Sequence, residues 1–131
     1  MSTSFSFATR SETPAHGLIL AGTQSSSGKT AVASLLLAAM AERGIPTQPF
    51  KVGPDFIDPA YHAAYASGSC RNLDTWLMGT NEVREEVRRH GAGKIGLVEG
   101  VMGLFDGGVA SSAEGSTMEL AQLLEIRKSV V

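Results

Sequence analysis

The sequence predicts an α/β fold, a parallel sheet with helices on both faces. Two observations carry this. Short apolar runs alternate along the chain with longer helical stretches, the pattern of strands joined by crossover helices. The first apolar run also passes through a loop of small residues straight into a helix. At 131 residues the chain has the length of one domain and enough mass for a single core.

The elements are read in order. Met1 to His16 is rich in Ser and Thr and lacks the apolar middle of a secretory signal, so it reads as a disordered leader. Gly17–Ala21 is an apolar strand, and Thr30–Arg43 is a helix, apolar over most of its circumference and ended by Gly44. Pro46–Val52 is a second strand, with Gln48 and Lys51 as its polar members, stopped by Gly53-Pro54. Pro59–Ser67 suits a short helix with proline in its first turn. Asn81–His90 is a charged helix, with Glu82, Glu85 and Glu86 early and Arg88, Arg89 and His90 late, an order that matches the helix macrodipole. Lys94–Glu99 is a third apolar strand, Gly100–Gly115 a Gly-rich loop, and Ser116–Arg127 a last helix; Ser129–Val131 begins a further strand. Three full strands make a sheet cut short, since central parallel strands need neighbours on both sides. Residues 17–131 therefore read as the N-terminal part of a longer domain.

Composition narrows the function. The formal net charge is -2 and the eleven Lys and Arg residues are scattered, so no basic stripe points to nucleic acid. No apolar run approaches the roughly 20 residues that span a bilayer. The single cysteine, Cys70, cannot form an internal disulfide, and a reducing cytoplasm is the expected location.

The informative segment is Gly22-Thr23-Gln24-Ser25-Ser26-Ser27-Gly28-Lys29-Thr30, preceded by a strand and followed by a helix. In that setting the loop's backbone N–H groups converge on phosphate oxygens, and the helix N-terminus adds partial positive charge. Gly28 lets the main chain approach closely, Lys29 neutralises the β- and γ-oxygens, and the Thr30 hydroxyl is suited to magnesium. Thr23 occupies the slot of the first glycine in the strict GxxxxGK[ST] pattern, and Gly22 stands one residue earlier. The fold expected is thus P-loop NTPase-like, with residues 23–30 as the nucleotide cradle.

Such a loop needs carboxylates at the C-terminal ends of neighbouring strands. Glu99 ends the apolar run Ile95, Leu97, Val98. Asp55 and Asp58 follow the second strand; turn or cap roles are the alternative for both, and Asp58 before Pro59 suits a helix cap. Asp55 is therefore the better metal candidate, with Thr30 and Glu99. Asp106, before Gly107-Gly108, has a turn role as its alternative. His16, His62 and His90 form no zinc-like spacing, and Trp76, with Leu73 and Leu77, reads as core.

Residues 22–30, the run Gln48-Pro49-Phe50-Lys51-Val52-Gly53-Pro54-Asp55-Phe56-Ile57-Asp58-Pro59, Arg71-Asn72-Leu73-Asp74 and Glu99-Gly100-Val101-Met102-Gly103-Leu104-Phe105-Asp106-Gly107 together resemble the cobyrinic acid a,c-diamide synthase family. That family includes hydrogenobyrinic acid and nickel-sirohydrochlorin versions, and the likeness covers nearly everything from Gly17 to Leu124. It implies a dethiobiotin-synthetase-like fold and a glutamine-dependent amide ligase using ATP and Mg²⁺. The a and c acetate side chains of the tetrapyrrole would be activated as acyl phosphates and then amidated by ammonia. Carried over, Thr23, Gln24, Ser25, Ser26, Ser27, Gly28, Lys29 and Thr30 would cradle ATP, and Thr30, Asp55 and Glu99 would ligate magnesium. Lys29, Asp58 and Asp106 would be catalytic, the two aspartates near the reacting carboxylate, and Lys51 would meet the carboxylates of a tetrapyrrole polycarboxylate substrate. A homodimer is compatible with this reading.

Three departures stand out. Ser26 lies where the family commonly has glycine, which stiffens the loop. The sequence stops before the rest of the synthetase sheet. A glutaminase domain, the source of ammonia, is missing from these 131 residues, and Cys70 lies in no such setting, so glutamine hydrolysis is not expected of them. Two other readings stay open: a nickel-sirohydrochlorin a,c-diamide synthase, and a non-enzymatic nucleotide switch of the partitioning-ATPase type. The switch proteins often carry a second lysine early in the loop, and Thr23–Ser27 has none.

Overall fold

A computed structural model describes residues 17–54, 62, 64, 66, 69–107 and 114–131. Its elements are β1 (Gly17–Gly22), α1 (Lys29–Glu42), β2 (Thr47–Val52), β3 (Arg71–Leu73), α2 (Thr75–Met78), α3 (Thr80–Gly91), β4 (Ile95–Gly103), α4 (Thr117–Leu124) and β5 (Arg127–Val130). The five strands form one sheet in the order β3-β2-β4-β1-β5, and every pairing is parallel.

Strand side chains alternate between faces, and the packing follows that period of two. Ile19, Phe50, Val52, Leu73 and Val98 meet Val83 and Val87 of α3 and Leu120, Ala121 and Leu124 of α4 on one face. Leu20 and Leu97 meet Ala33 and Leu37 of α1 on the other. Helices thus cover both faces, as predicted. Each fully buried Leu, Ile or Phe contributes about 1.5–3 kcal/mol, so these two clusters hold the sheet together.

Helix ends follow local chemistry. Gly44 adopts a left-handed φ of 67°; its N–H reaches the Ala41 carbonyl and that of Ile45 reaches Met40, the paired bonds of a Schellman stop. The Ser116 hydroxyl accepts from the Glu119 N–H at the start of α4. The Asp74 carboxylate accepts from Trp76 and Leu77 N–H and so starts α2.

Several expectations change. β3 and α2 were not legible, being three and four residues long, too short for periodicity to show. β4 runs on past Glu99 to Gly103. Only Lys29, Ala33 and Leu37 are buried on α1, a single stripe, and Leu35 stays exposed. Trp76 and Leu77, read as core, are 79% and 73% exposed, whereas Leu73 is fully buried. The difference arises because α2 is a single turn on the surface. Residues 1–16, most of 59–67, Asp55 and Asp58 lie outside the described residues; within 59–67, His62 and Ala64 are helical.

Candidate functional site: a phosphate-binding loop with a buried acid

The site grows from the junction of β1 and α1. The loop entrance is tied on two sides: Thr23 N–H donates to Val131 O at 3.2 Å, and Leu104 N–H donates to Gly22 O at 2.8 Å. Gly22 is required by space. A Cβ there would lie 2.3 Å from Ser27 Oγ, 2.9 Å from Lys29 Nζ and 3.0 Å from Gln24 O. Gly28 takes φ 97° as the N-cap of α1, which has no side-chain cap. The N-terminus of α1 opens directly from the loop, where helix amides and the helix dipole favour an anion. Thr23 to Ser26 and Gly28 are exposed. Ser26 adopts φ 59°, a left-handed conformation that costs an L-residue roughly 1–2 kcal/mol; glycine at this position would carry no such penalty. The Ser27 hydroxyl is buried with no hydrogen-bond partner among the described residues.

The parallel ladder supplies the charges. In register, Glu99 of β4 stands opposite both Leu20 of β1 and Lys51 of β2. Being two residues beyond Leu97, Glu99 faces α1, where Thr30 is the second residue of the helix. Its Oε1 accepts from the Thr30 hydroxyl at 2.6 Å and from Lys51 Nζ at 3.2 Å. Its Oε2 accepts from His62 Nε2. Lys51 also donates to Gly100 O at 3.0 Å. Burial works to raise the Glu99 pKa, but hydrogen bonds from His62 and Thr30 and the charges of Lys51 and His62 outweigh it. The net effect holds the carboxyl below its ordinary value, so it is an anion at neutral pH.

Beyond Glu99 the β1–β4 register shifts between Leu20 and Gly22, and Met102 turns to φ 46°. Bulges of this kind re-aim backbone groups beside functional sites. Here the Met102 carbonyl accepts from Lys29 Nζ at 2.7 Å, and Gln24 O accepts from the same ammonium at 3.3 Å. Gly100 makes room for α4: a Cβ would lie 2.7 Å from Thr117 Oγ1 and Cγ2, and that hydroxyl bonds to both Val101 N–H and O.

Ser25–Ala31, Lys51, Glu99 and Met102 line one cleft of about 370 Å³. The structure therefore brings Ser25, Ser26, Ser27, Gly28, Lys29, Thr30, Lys51 and Glu99 together. Thr23 and Gln24 form the loop entrance. Asp106 is not among the residues lining that cleft; it lies on an exposed turn beside the loop entrance, where its Oδ2 accepts from Gly103 N–H at 2.8 Å. Among the described residues no three His, Cys, Asp or Glu side chains cluster as a metal centre. Magnesium does not require one, since it is commonly held by one or two carboxylates plus substrate phosphates and water. The hard-oxygen pair of Thr30 and Glu99, beside the loop at the N-terminus of α1, fits such an ion and a polyphosphate. His62 had no signal in the sequence beyond its place after the Asp55–Pro59 run; only the fold puts it on Glu99.

A strand-loop-helix phosphate cradle with an acid on the adjacent parallel strand defines a P-loop nucleotide-binding domain. The model of the CobQ/CobB/MinD/ParA nucleotide binding domain matches residues 18–124, and the chain belongs to that family. It is 46% identical over 109 residues to the cobyrinate a,c-diamide synthase of Syntrophotalea carbinolica, covering 82% of this chain and 24% of that protein. It is 47% identical over 109 residues to the hydrogenobyrinate a,c-diamide synthase of Streptomyces coelicolor, covering 82% and 22%. For the cobyrinate a,c-diamide synthase of Halobacterium salinarum the figures are 42% over 114 residues, 86% and 26%. The matched region thus spans about a quarter of the length of these relatives. No solved structure gives a significant match. Among the described residues no helix is long and apolar enough to cross a membrane.

Proposed function

We propose that this chain is the ATP- and Mg²⁺-binding part of a cytoplasmic, glutamine-dependent amide ligase. Its substrate would be cobyrinic or hydrogenobyrinic acid, amidated on the a and c acetate groups by way of acyl phosphates. The observation that carries the reading is the convergence of Lys29, Thr30, Lys51 and Glu99 on one cleft at the N-terminus of α1. The identity to diamide synthases supports the substrate class, and a loop without lysine between Thr23 and Ser27 favours the ligase over the nucleotide switch.

In this reading the nucleotide supplies the phosphoryl group and the metal the charge that neutralises it. The chain's own task is positioning and electrostatic stabilisation. The loop amides grip the phosphates. Lys29, held now by the Met102 and Gln24 carbonyls, exchanges those acceptors for phosphate oxygens. Thr30 and Glu99, hydrogen-bonded to each other at 2.6 Å, offer oxygen ligands side by side, and Asp55 is a further ligand proposed from the sequence. Lys51 shares its charge between Glu99 and an incoming carboxylate of the tetrapyrrole. Asp58 and Asp106 stand as proposed neighbours of the reacting carboxylate; for Asp106 this requires the Gly103–Asp106 turn to release its side chain. Ammonia comes from a glutaminase domain outside these residues.

The test is direct. The complete protein given cobyrinic acid, glutamine, ATP and Mg²⁺ yields the a,c-diamide by mass spectrometry. Absence of any amide product, with the protein folded and nucleotide bound, removes the ligase reading.

A further inference from the structure

Glu99 divides its two oxygens between different neighbours. Oε1 faces the phosphate cleft, with Thr30 at 2.6 Å and Lys51 at 3.2 Å. Oε2 faces away and meets His62 Nε2. Both His62 and Glu99 are 1% exposed, and 37 residues separate them. His62 Nδ1 is buried with no hydrogen-bond partner among the described residues, so the ring's one recorded polar contact is with Glu99.

Magnitudes argue against a purely stabilising role. Leaving a buried polar atom unsatisfied costs about 1–3 kcal/mol, and a hydrogen bond to a charged group returns roughly 1.5–3 kcal/mol. For the imidazole itself the two nearly cancel, so its net contribution to the core is small. What an apolar side chain could not do is hold the carboxylate's orientation. Without the imidazole, Oε2 is at liberty to turn toward the Lys51 ammonium, and Oε1 then leaves the Thr30 hydroxyl.

We propose that His62 is a positioning residue that anchors Glu99 through Oε2, keeping Oε1 turned to Thr30 as a ligand for the metal of a bound nucleotide. This rests on the nucleotide-site reading above. Partners behind metal-ligating carboxylates typically change metal affinity 10- to 100-fold when removed, which sets the expected scale.

The experiment compares His62→Met with His62→Gln, side chains of nearly equal length and volume of which only glutamine retains a donor. Calorimetry on the full chain measures the ratio of ATP affinity in Mg²⁺ to that in EDTA. In His62→Met this ratio falls about tenfold or more, and His62→Gln restores most of it, while both variants melt at similar temperatures. A wild-type ratio in His62→Met, or an equal loss in both variants, overturns the proposal. Should His62→Met fail to fold, the unsubstituted chain decides: the His62 ring ¹⁵N resonances shift when Mg²⁺ joins the ATP complex, and unmoved resonances refute the anchoring role. If the unsubstituted chain binds ATP with no gain from Mg²⁺, the metal-site reading fails and the proposal with it. If it shows the gain and His62→Met keeps it, only the role of His62 fails.

Discussion

Replacing Glu99 with glutamine perturbs the site at its most constrained point. Among the described residues three side chains approach the carboxylate as donors: Thr30, Lys51 and His62. A glutamine amide that keeps its oxygen on Thr30 and Lys51 turns its NH₂ to His62 Nε2, which accepts it only as the tautomer protonated on Nδ1. Lys51, only 4% exposed, would keep the Gly100 carbonyl but lose its carboxylate. Removing one member of a buried ion pair costs about 3–5 kcal/mol; the remaining amide acceptor places the change near 3 kcal/mol. For a domain of this size that lowers the melting temperature by roughly 10 °C, at about 3–4 °C per kcal/mol. Thermal unfolding by circular dichroism measures it. The double variant Glu99→Gln/Lys51→Met removes the buried Lys51 ammonium as well, and recovers at least about 1 kcal/mol by a double-mutant cycle. A melting shift below about 2 °C in the single variant, or strict additivity in the double, refutes the description of Glu99 as the buried counter-charge.

Other outcomes follow from the same geometry. If the ligase reading holds, Lys29→Ala lowers amide-forming turnover of the complete protein by at least about 10²–10³, the scale for loss of one transition-state electrostatic group; steady-state kinetics near wild type would contradict the role of Lys29. Gly22→Ala forces its Cβ against Ser27 Oγ and Gln24 O, costing about 1–3 kcal/mol of overpacking and at least tenfold in ATP affinity by calorimetry. Ser26→Gly relieves the left-handed strain by about 1–2 kcal/mol against about 0.5–1 kcal/mol of added unfolded-state entropy, so urea unfolding shows a small net gain. Stability also falls in acid: because the Glu99 pKa is lower in the folded chain than its ordinary value of 4.5, its contribution is present above that value and is lost as pH drops through the folded one. Glu99→Gln flattens that part of the profile, and an unchanged acid limb would contradict the assignment.

The reach of the sequence had physical limits. The phosphate loop was legible because strand, loop and helix are contiguous, and Gly28-Lys29-Thr30 lies where their geometry requires. Glu99 was legible because it interrupts an apolar run. The pairing of Lys51 with Glu99 was not, since it depends on parallel register between strands 48 residues apart. His62 reaches Glu99 only through tertiary packing, so local spacing carried no sign of it. Trp76 and Leu77 misled because hydrophobicity alone does not say which side of a one-turn helix meets solvent.

The central claim is that main-chain amides between Gly22 and Thr30, with Lys29, grip a polyphosphate. Amide ¹H–¹⁵N spectra of the chain titrated with ATP and Mg²⁺ test it at single residues. The amides of Ser27, Gly28, Lys29 and Thr30 move downfield together as they bond to phosphate oxygens. Saturating ATP that leaves these four signals unmoved contradicts it.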